Sequence, residues 1–163
     1  MSGEVTEPVG GFPHRNHDHL RCVADAMSDA THLCRARGVR LTPLRARVLE
    51  IVWQQHKPTG AYDILAVLGG EGRSAAPPTV YRALDFLLAQ GLVHRLSSLN
   101  AYMGCSRPGH PGSGQFLICQ TCGNAAELND GGVERAITRS AASQGFAVHS
   151  NTVEISGFCP ECR

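Results

Sequence analysis

The sequence predicts an α+β protein in two parts, an N-terminal winged helix-turn-helix and a small C-terminal α/β unit stapled by cysteines. Three observations predict it. Helical apolar spacing fills residues 20–90 and gives way to two short strand-like runs. A β-β-α-β pattern then fills the last 50 or so residues. Two Cys-x-x-Cys pairs bracket that pattern, Cys119/Cys122 and Cys159/Cys162.

The elements follow in order. Residues 1–19 mix Gly, Pro and His without an apolar period and read as a flexible leader. From Leu20, the residues Val23, Ala24, Met27, Ala30 and Cys34 keep helical spacing until Gly38. Thr42 then suits an N-cap, and Pro43 suits the first helical position, where a missing N–H is no loss. Leu44, Val48, Ile51 and Val52 form one stripe of this second helix. "KPTG" breaks the chain, "AYDILAVL" makes a short third helix, and "GGEGRSAAPP" makes a loop. "TVYRALDFLLAQG" is a fourth helix, with Thr79 to cap it and Gly91 to close it. Val80, Leu84, Leu87 and Leu88 face inward, while Tyr81, Arg82 and Asp85 face outward. "LVHRLSSLNAYMGC" reads as a hairpin around Ser-Ser-Leu-Asn.

Helices followed by a hairpin give the winged-helix order, and the helix before the hairpin is its major-groove reader. Thr79, Tyr81 and Arg82 are the candidate DNA contacts on it. An ordinary solvated face is the alternative reading of the same residues. Charge favours DNA. Residues 20–97 carry ten basic and six acidic side chains, a net +4, whereas the whole chain is only +1. Arg40 and Arg45 flank the second helix's cap and are candidate phosphate holders.

After Cys105, "SRPGHPGSG" reads as a linker. Strands are expected at 115–119, 125–128 and 152–158, with a helix from about Val133 to Ser143. Such a unit is too small for a self-sufficient core and needs a staple, a partner or both. The cysteines supply the staple. Two Cys-x-x-Cys knuckles provide the four thiolates of a closed tetrahedral zinc site. The chain lacks a signal peptide pattern and any apolar run of about 18 residues, so a cytoplasmic protein is expected. In that compartment seven cysteines argue for metal rather than disulfides. A redox pair or inert buried thiols are the competing readings of Cys119, Cys122, Cys159 and Cys162. A four-thiolate site is not catalytic, and no His or carboxylate pair has catalytic spacing. An enzyme acting on a small-molecule substrate is not expected.

"RLTPLR", "PPTVYRALDFLLAQGLVHRL", "CQTCG" and "FCPEC" together resemble the ferric-uptake-regulator superfamily, most closely its zinc uptake regulators. The resemblance spans about residues 20 to 163. It implies a homodimeric repressor that binds a palindromic double-stranded operator and controls zinc uptake genes. It divides the chain into a leader (1–19), a winged helix (20–104), a hinge (105–114) and a dimerisation and zinc-binding domain (115–163). It implies two Zn²⁺ per chain, one structural and one regulatory. His94, Cys105, His110 and Glu127 match the regulatory ligands one by one, and a set of N, S, N and O donors suits zinc. By this resemblance, metal at the hinge fixes the angle between domains, and with it the spacing of the two reading helices. A redox- or other-metal-sensing regulator of the same superfamily is the alternative. "GHPGSGQF" lacks the His and Asp cluster of iron and peroxide sensors. A further site of some relatives is matched by Glu134 but not by Asn151, with His149 displaced by two. Cys22 and Cys34 match no ligand position.

Overall fold

A computed structural model describes residues 11–12, 18–109 and 113–163. His110 and most of the leader, including His14 and His17, lie outside the described residues. Helix α1 spans His19–Ala36, one residue before the expected start, because Asp18 caps it by accepting the Arg21 N–H at 3.2 Å. Helix α2 spans Pro43–Trp53, with Thr42 at its N-cap and Pro43 in its first turn, as the sequence predicts. Helix α3 spans Ala61–Gly70, and Asp63 reaches back to the Gly60 N–H at 3.2 Å. Helix α4 spans Pro77–Ala89.

Thr79 does not cap α4. The N-cap is Ala76, three residues before the expected cap. Prolines tolerate the first helical positions, where no N–H partner exists, so Pro77 and Pro78 extend the helix backwards. Thr79 becomes the third helical residue. The other end follows expectation. Gly91 has φ +67°, its N–H bonds to Leu88 O at 3.0 Å, and the Leu92 N–H bonds to Leu87 O at 2.9 Å. This paired closure needs a left-handed residue, which glycine adopts without strain.

The chain then enters the wing, β1 (Val93–Leu96) and β2 (Ala101–Gly104), paired antiparallel with His94 opposite Met103. Thr59 bridges to Tyr102 through two backbone bonds of 2.8 and 2.9 Å, which ties β2 to the segment before α3. Val48, Ile64, Leu68, Val80, Leu84 and Leu87 are fully buried where α2, α3 and α4 meet. Burying each such side chain contributes about 1.5–3 kcal/mol.

The second part contains β3 (Ser113–Cys119), β4 (Ala125–Glu127), α5 (Gly131–Ala142) and β5 (Asn151–Gly157). Its sheet has the order β4-β3-β5, with β3 and β5 parallel. Its core is small: Phe116, Ile118 and Ala125, completed by Leu96 and Met103 of the wing. The thin core read from the sequence is therefore shared across the joint. The Ala125 N–H also bonds to His56 O at 3.3 Å. Helix α5 is amphipathic yet buries no residue. No helix among the described residues is long and apolar enough to cross a membrane.

Candidate metal centres and nucleic-acid interface

Strand β3 ends at Cys119, and the chain turns through Gly123 at φ +75°. The Gly123 N–H bonds to Cys119 O at 3.0 Å, and the Cys119 N–H to Asn124 O at 2.9 Å. This turn holds Cys122 beside Cys119. Past β5, the Cys162 N–H bonds to Cys159 O at 2.9 Å and makes the second knuckle. Parallel pairing of β3 with β5, ending at Cys119 opposite Gly157, brings the knuckles together. All four sulfurs lie within 4.8 Å of one another, and Sγ of Cys122 and Cys159 are 3.8 Å apart. The backbone N–H groups of Cys122 and Cys159 lower the Cys119 pKa to about 6. Hydrogen bonding to Cys159, burial and its crowded sulfur neighbours push Cys162 up to about 12. Four sulfurs this close cannot all ionise without a counter-charge. A divalent cation balances such a set, and four-sulfur tetrahedral ligation is what zinc accepts.

The second cluster joins three elements. His94 comes from β1, Cys105 follows β2, and Glu127 ends β4. They are 7%, 1% and 8% exposed, and their ligand atoms lie within 4.8 Å of one another. Among the described residues His94 Nε2 is buried without a well-aligned hydrogen bond, although Glu127 Oε1 lies 3.4 Å away. An orphaned buried nitrogen facing a thiol and a carboxylate fits a metal ligand set. Burial works against charge on His94, but Cys105 and Glu127 outweigh it and raise its pKa to about 9. Burial also opposes charge on Glu127; His94 and Ser106 outweigh it and lower its pKa to about 2.

The surroundings fix these ligands. The Ser106 N–H and hydroxyl donate to Glu127 Oε2 at 3.1 and 2.7 Å. The Cys105 N–H bonds to Leu92 O at 3.0 Å. The Phe116 ring stands edge-on to His94, 5.0 Å between centroids, and a Cβ on Gly114 would come within 2.4 Å of that ring. The Trp53 indole covers Gly104, the residue before Cys105. Sequence reading missed Ser106, Gly114, Trp53 and Phe116. Only the adjacency of Ser106 to Cys105 hinted at any of them. Of the four predicted regulatory ligands the structure brings three together, and His110 lies outside the described residues. Glu134 and Asn151 line a cavity of about 190 Å³ with Gln115 and Glu127, and among the described residues none of its lining is His or Cys.

On α4, Arg82 is exposed and Tyr81 is 37% exposed, while Thr79 is half-buried. Arg40 is exposed. Arg45 is engaged internally. Its guanidinium donates to Arg40 O at 2.7 Å and stacks 3.8 Å from the Phe86 ring centroid.

The profile of the Ferric uptake regulator family matches residues 36–156. The chain belongs to the ferric uptake regulator family. It is 41% identical over 141 residues to the zinc uptake regulation protein of Escherichia coli K12, covering 85% of this chain and 81% of that one. Among solved structures it resembles a zinc uptake regulator complexed with zinc and DNA, with a TM-score of 0.80, 40% identity and coverage of 85% and 93%. It also resembles XcZur. The holo form gives a TM-score of 0.78 and coverage of 84% and 96%. The apo form gives 0.50 and coverage of 86% and 97%. Identity to XcZur is 40% in both comparisons.

Proposed function

We propose that this chain is a zinc-responsive transcriptional repressor that binds a palindromic operator as a homodimer and controls zinc uptake genes. One observation carries the reading. His94 and Cys105 belong to the wing, Glu127 belongs to the C-terminal sheet, and their ligand atoms converge in one buried cluster across the joint. His110, five residues after Cys105, is the proposed fourth donor. These four residues would hold a zinc ion, which would link the wing to the sheet. Ser106 orients Glu127, and Phe116 orients His94, so the donors are arranged in advance. Cys119, Cys122, Cys159 and Cys162 hold a separate structural zinc, giving two per chain. The likeness to holo rather than apo XcZur supports the described arrangement as the zinc-holding one.

The dimer reading rests on the C-terminal unit. Strand β5 is an edge strand with Ile155 exposed, Phe146 and Phe158 are 66% and 63% exposed, and α5 leaves Val133, Ile137 and Ala141 only half-buried. A second copy covers this apolar surface. In the groove Arg82 reads a guanine and Tyr81 touches a thymine methyl or a phosphate, with Thr79 beside them at the helix start. Arg40 holds a phosphate, and Arg45 steadies the Arg40 backbone. Cys105→Ser tests the proposal. The variant keeps one tightly held zinc per chain and loses zinc-dependent operator binding. A full zinc response in that variant refutes the hinge assignment.

A further inference from the structure

The hinge donors hold the root of the wing, and a second contact grips its tip. The turn after β1 aims two consecutive amides at one carboxylate. The Ser97 N–H donates to Glu154 Oε1 at 2.6 Å, and the Ser98 N–H donates to Oε2 at 3.0 Å. Glu154 lies in the middle of β5, in register with Phe116 of β3. Residues in register share a sheet face, so Glu154 stands on the side where Phe116 meets Leu96 of the wing. Val153 and Ile155 alternate to the opposite face. Leu96, fully buried in the shared core, immediately precedes the gripped turn. The turn is well defined, with Asn100 at φ +46° and its N–H bonded to Ser97 O at 3.3 Å. Burial works against charge on Glu154, and bonds from Ser98 and Ser97 outweigh it, holding its pKa below the usual carboxylate range. Bonds to a charged acceptor are stronger than neutral ones, and two adjacent amides give them direction.

We infer that Glu154 is a positioning residue, a zinc-independent strut that fixes the wing tip to β5. The wing then has two anchors on one sheet, the hinge donors at its root and this carboxylate at its tip. Strand β5 also carries the proposed dimer edge, so the strut runs directly from the dimer contact to the DNA-binding part. A strut that favours the closed arrangement raises the fraction of protein competent to bind operator. Its loss weakens operator binding and, by linkage, zinc binding at the hinge. The functional consequence rests on the proposed zinc-responsive reading, whereas the contact itself does not.

The test uses the full-length protein as wild type, Glu154→Gln, Glu154→Ala and Cys105→Ser. Residue-resolved amide exchange by NMR reads the strut without reference to zinc. The Ser97 and Ser98 amides are expected to exchange about tenfold faster in Glu154→Gln and faster still in Glu154→Ala, because bonds to charged acceptors are among the stronger ones. The Tyr102 amide, held by Thr59, changes less than twofold. In Cys105→Ser, Ser97 and Ser98 lose less protection than in Glu154→Gln. Affinity is measured for a duplex selected from random sequence by zinc-loaded wild type. Glu154→Gln, which preserves side-chain shape, binds it about tenfold more weakly at saturating zinc. Free exchange of both amides in wild type, their release in Cys105→Ser as far as in Glu154→Gln, or duplex affinity within twofold of wild type in both Glu154 variants overturns the inference. If the Glu154 variants behave as stated while Cys105→Ser still responds fully to zinc, the strut stands and the hinge assignment falls.

Discussion

Gly104→Ala tests how closely the wing packs against α2. A Cβ at this position falls 2.1 Å from Cε2, 2.3 Å from Nε1 and 2.6 Å from Cζ2 of Trp53. Carbon atoms in contact sit about 3.5–4.0 Å apart, so the overlap exceeds an ångström against a rigid ring. The indole is half-buried and packs against the helical core, which leaves it little room to retreat. Either the ring leaves its seat or β2 shifts and takes Cys105 with it. Overpacking of this kind costs about 1–3 kcal/mol. For a chain of this size each kcal/mol lowers Tm by about 2–4 °C, so the expected fall is about 2–12 °C. Trp53 is the single tryptophan in the sequence, so its emission reports the displacement without interference. The expected result is a red-shifted emission maximum, a lower Tm and weaker hinge zinc binding with the four-cysteine zinc retained. Trp53→Leu in the same chain opens the space and recovers part of the loss, a coupling that a double-mutant cycle measures. An unchanged emission maximum with Tm within 1 °C of wild type refutes the close approach.

Two further outcomes concern the other sites. Arg82→Ala is expected to weaken binding to a selected duplex about 5- to 150-fold, the loss of one bidentate base contact, with dimerisation and zinc content unchanged; gel-shift titrations against selected and random duplexes check it, and equal losses on both would remove Arg82 from base reading. Cys159→Ser is expected to release the tightly held zinc and to expose the thin C-terminal core, measured by metal analysis and sedimentation; a zinc-replete, folded variant contradicts the structural role.

Helix order, the wing and the two cysteine knuckles were legible because each depends on local pattern. Thr42 with Pro43 and the Gly91 closure are cap chemistries written within a few residues. Thr79 misled because two capping rules competed, and the Pro77-Pro78 pair prevailed by occupying the positions that need no N–H. The four cysteines could be paired from spacing alone, and β3–β5 pairing supplies the geometry that joins them. What lay beyond the sequence were contacts between distant segments. Glu154 meets Ser97 and Ser98 across more than fifty residues, and Arg45 stacks on Phe86 from another helix. No local period encodes such contacts. Likewise Leu96 and Met103 read as wing residues, yet they complete the core of the other part. His94, Cys105 and Glu127 were grouped through family resemblance, and their convergence rests on the joint between the sheets.

The central claim is that donors on both sides of this joint set the spacing between two reading helices. The direct measurement is the distance distribution between non-cysteine spin-label amino acids placed at Ala89, an exposed residue at the end of α4, in both copies of the dimer. It is recorded while buffered free zinc is raised through the range that loads the hinge. With the Glu154 strut already limiting the wing, the account predicts a distribution that narrows further, toward one distance, over the same zinc range in which operator affinity rises. A distribution that stays the same while operator affinity rises contradicts it.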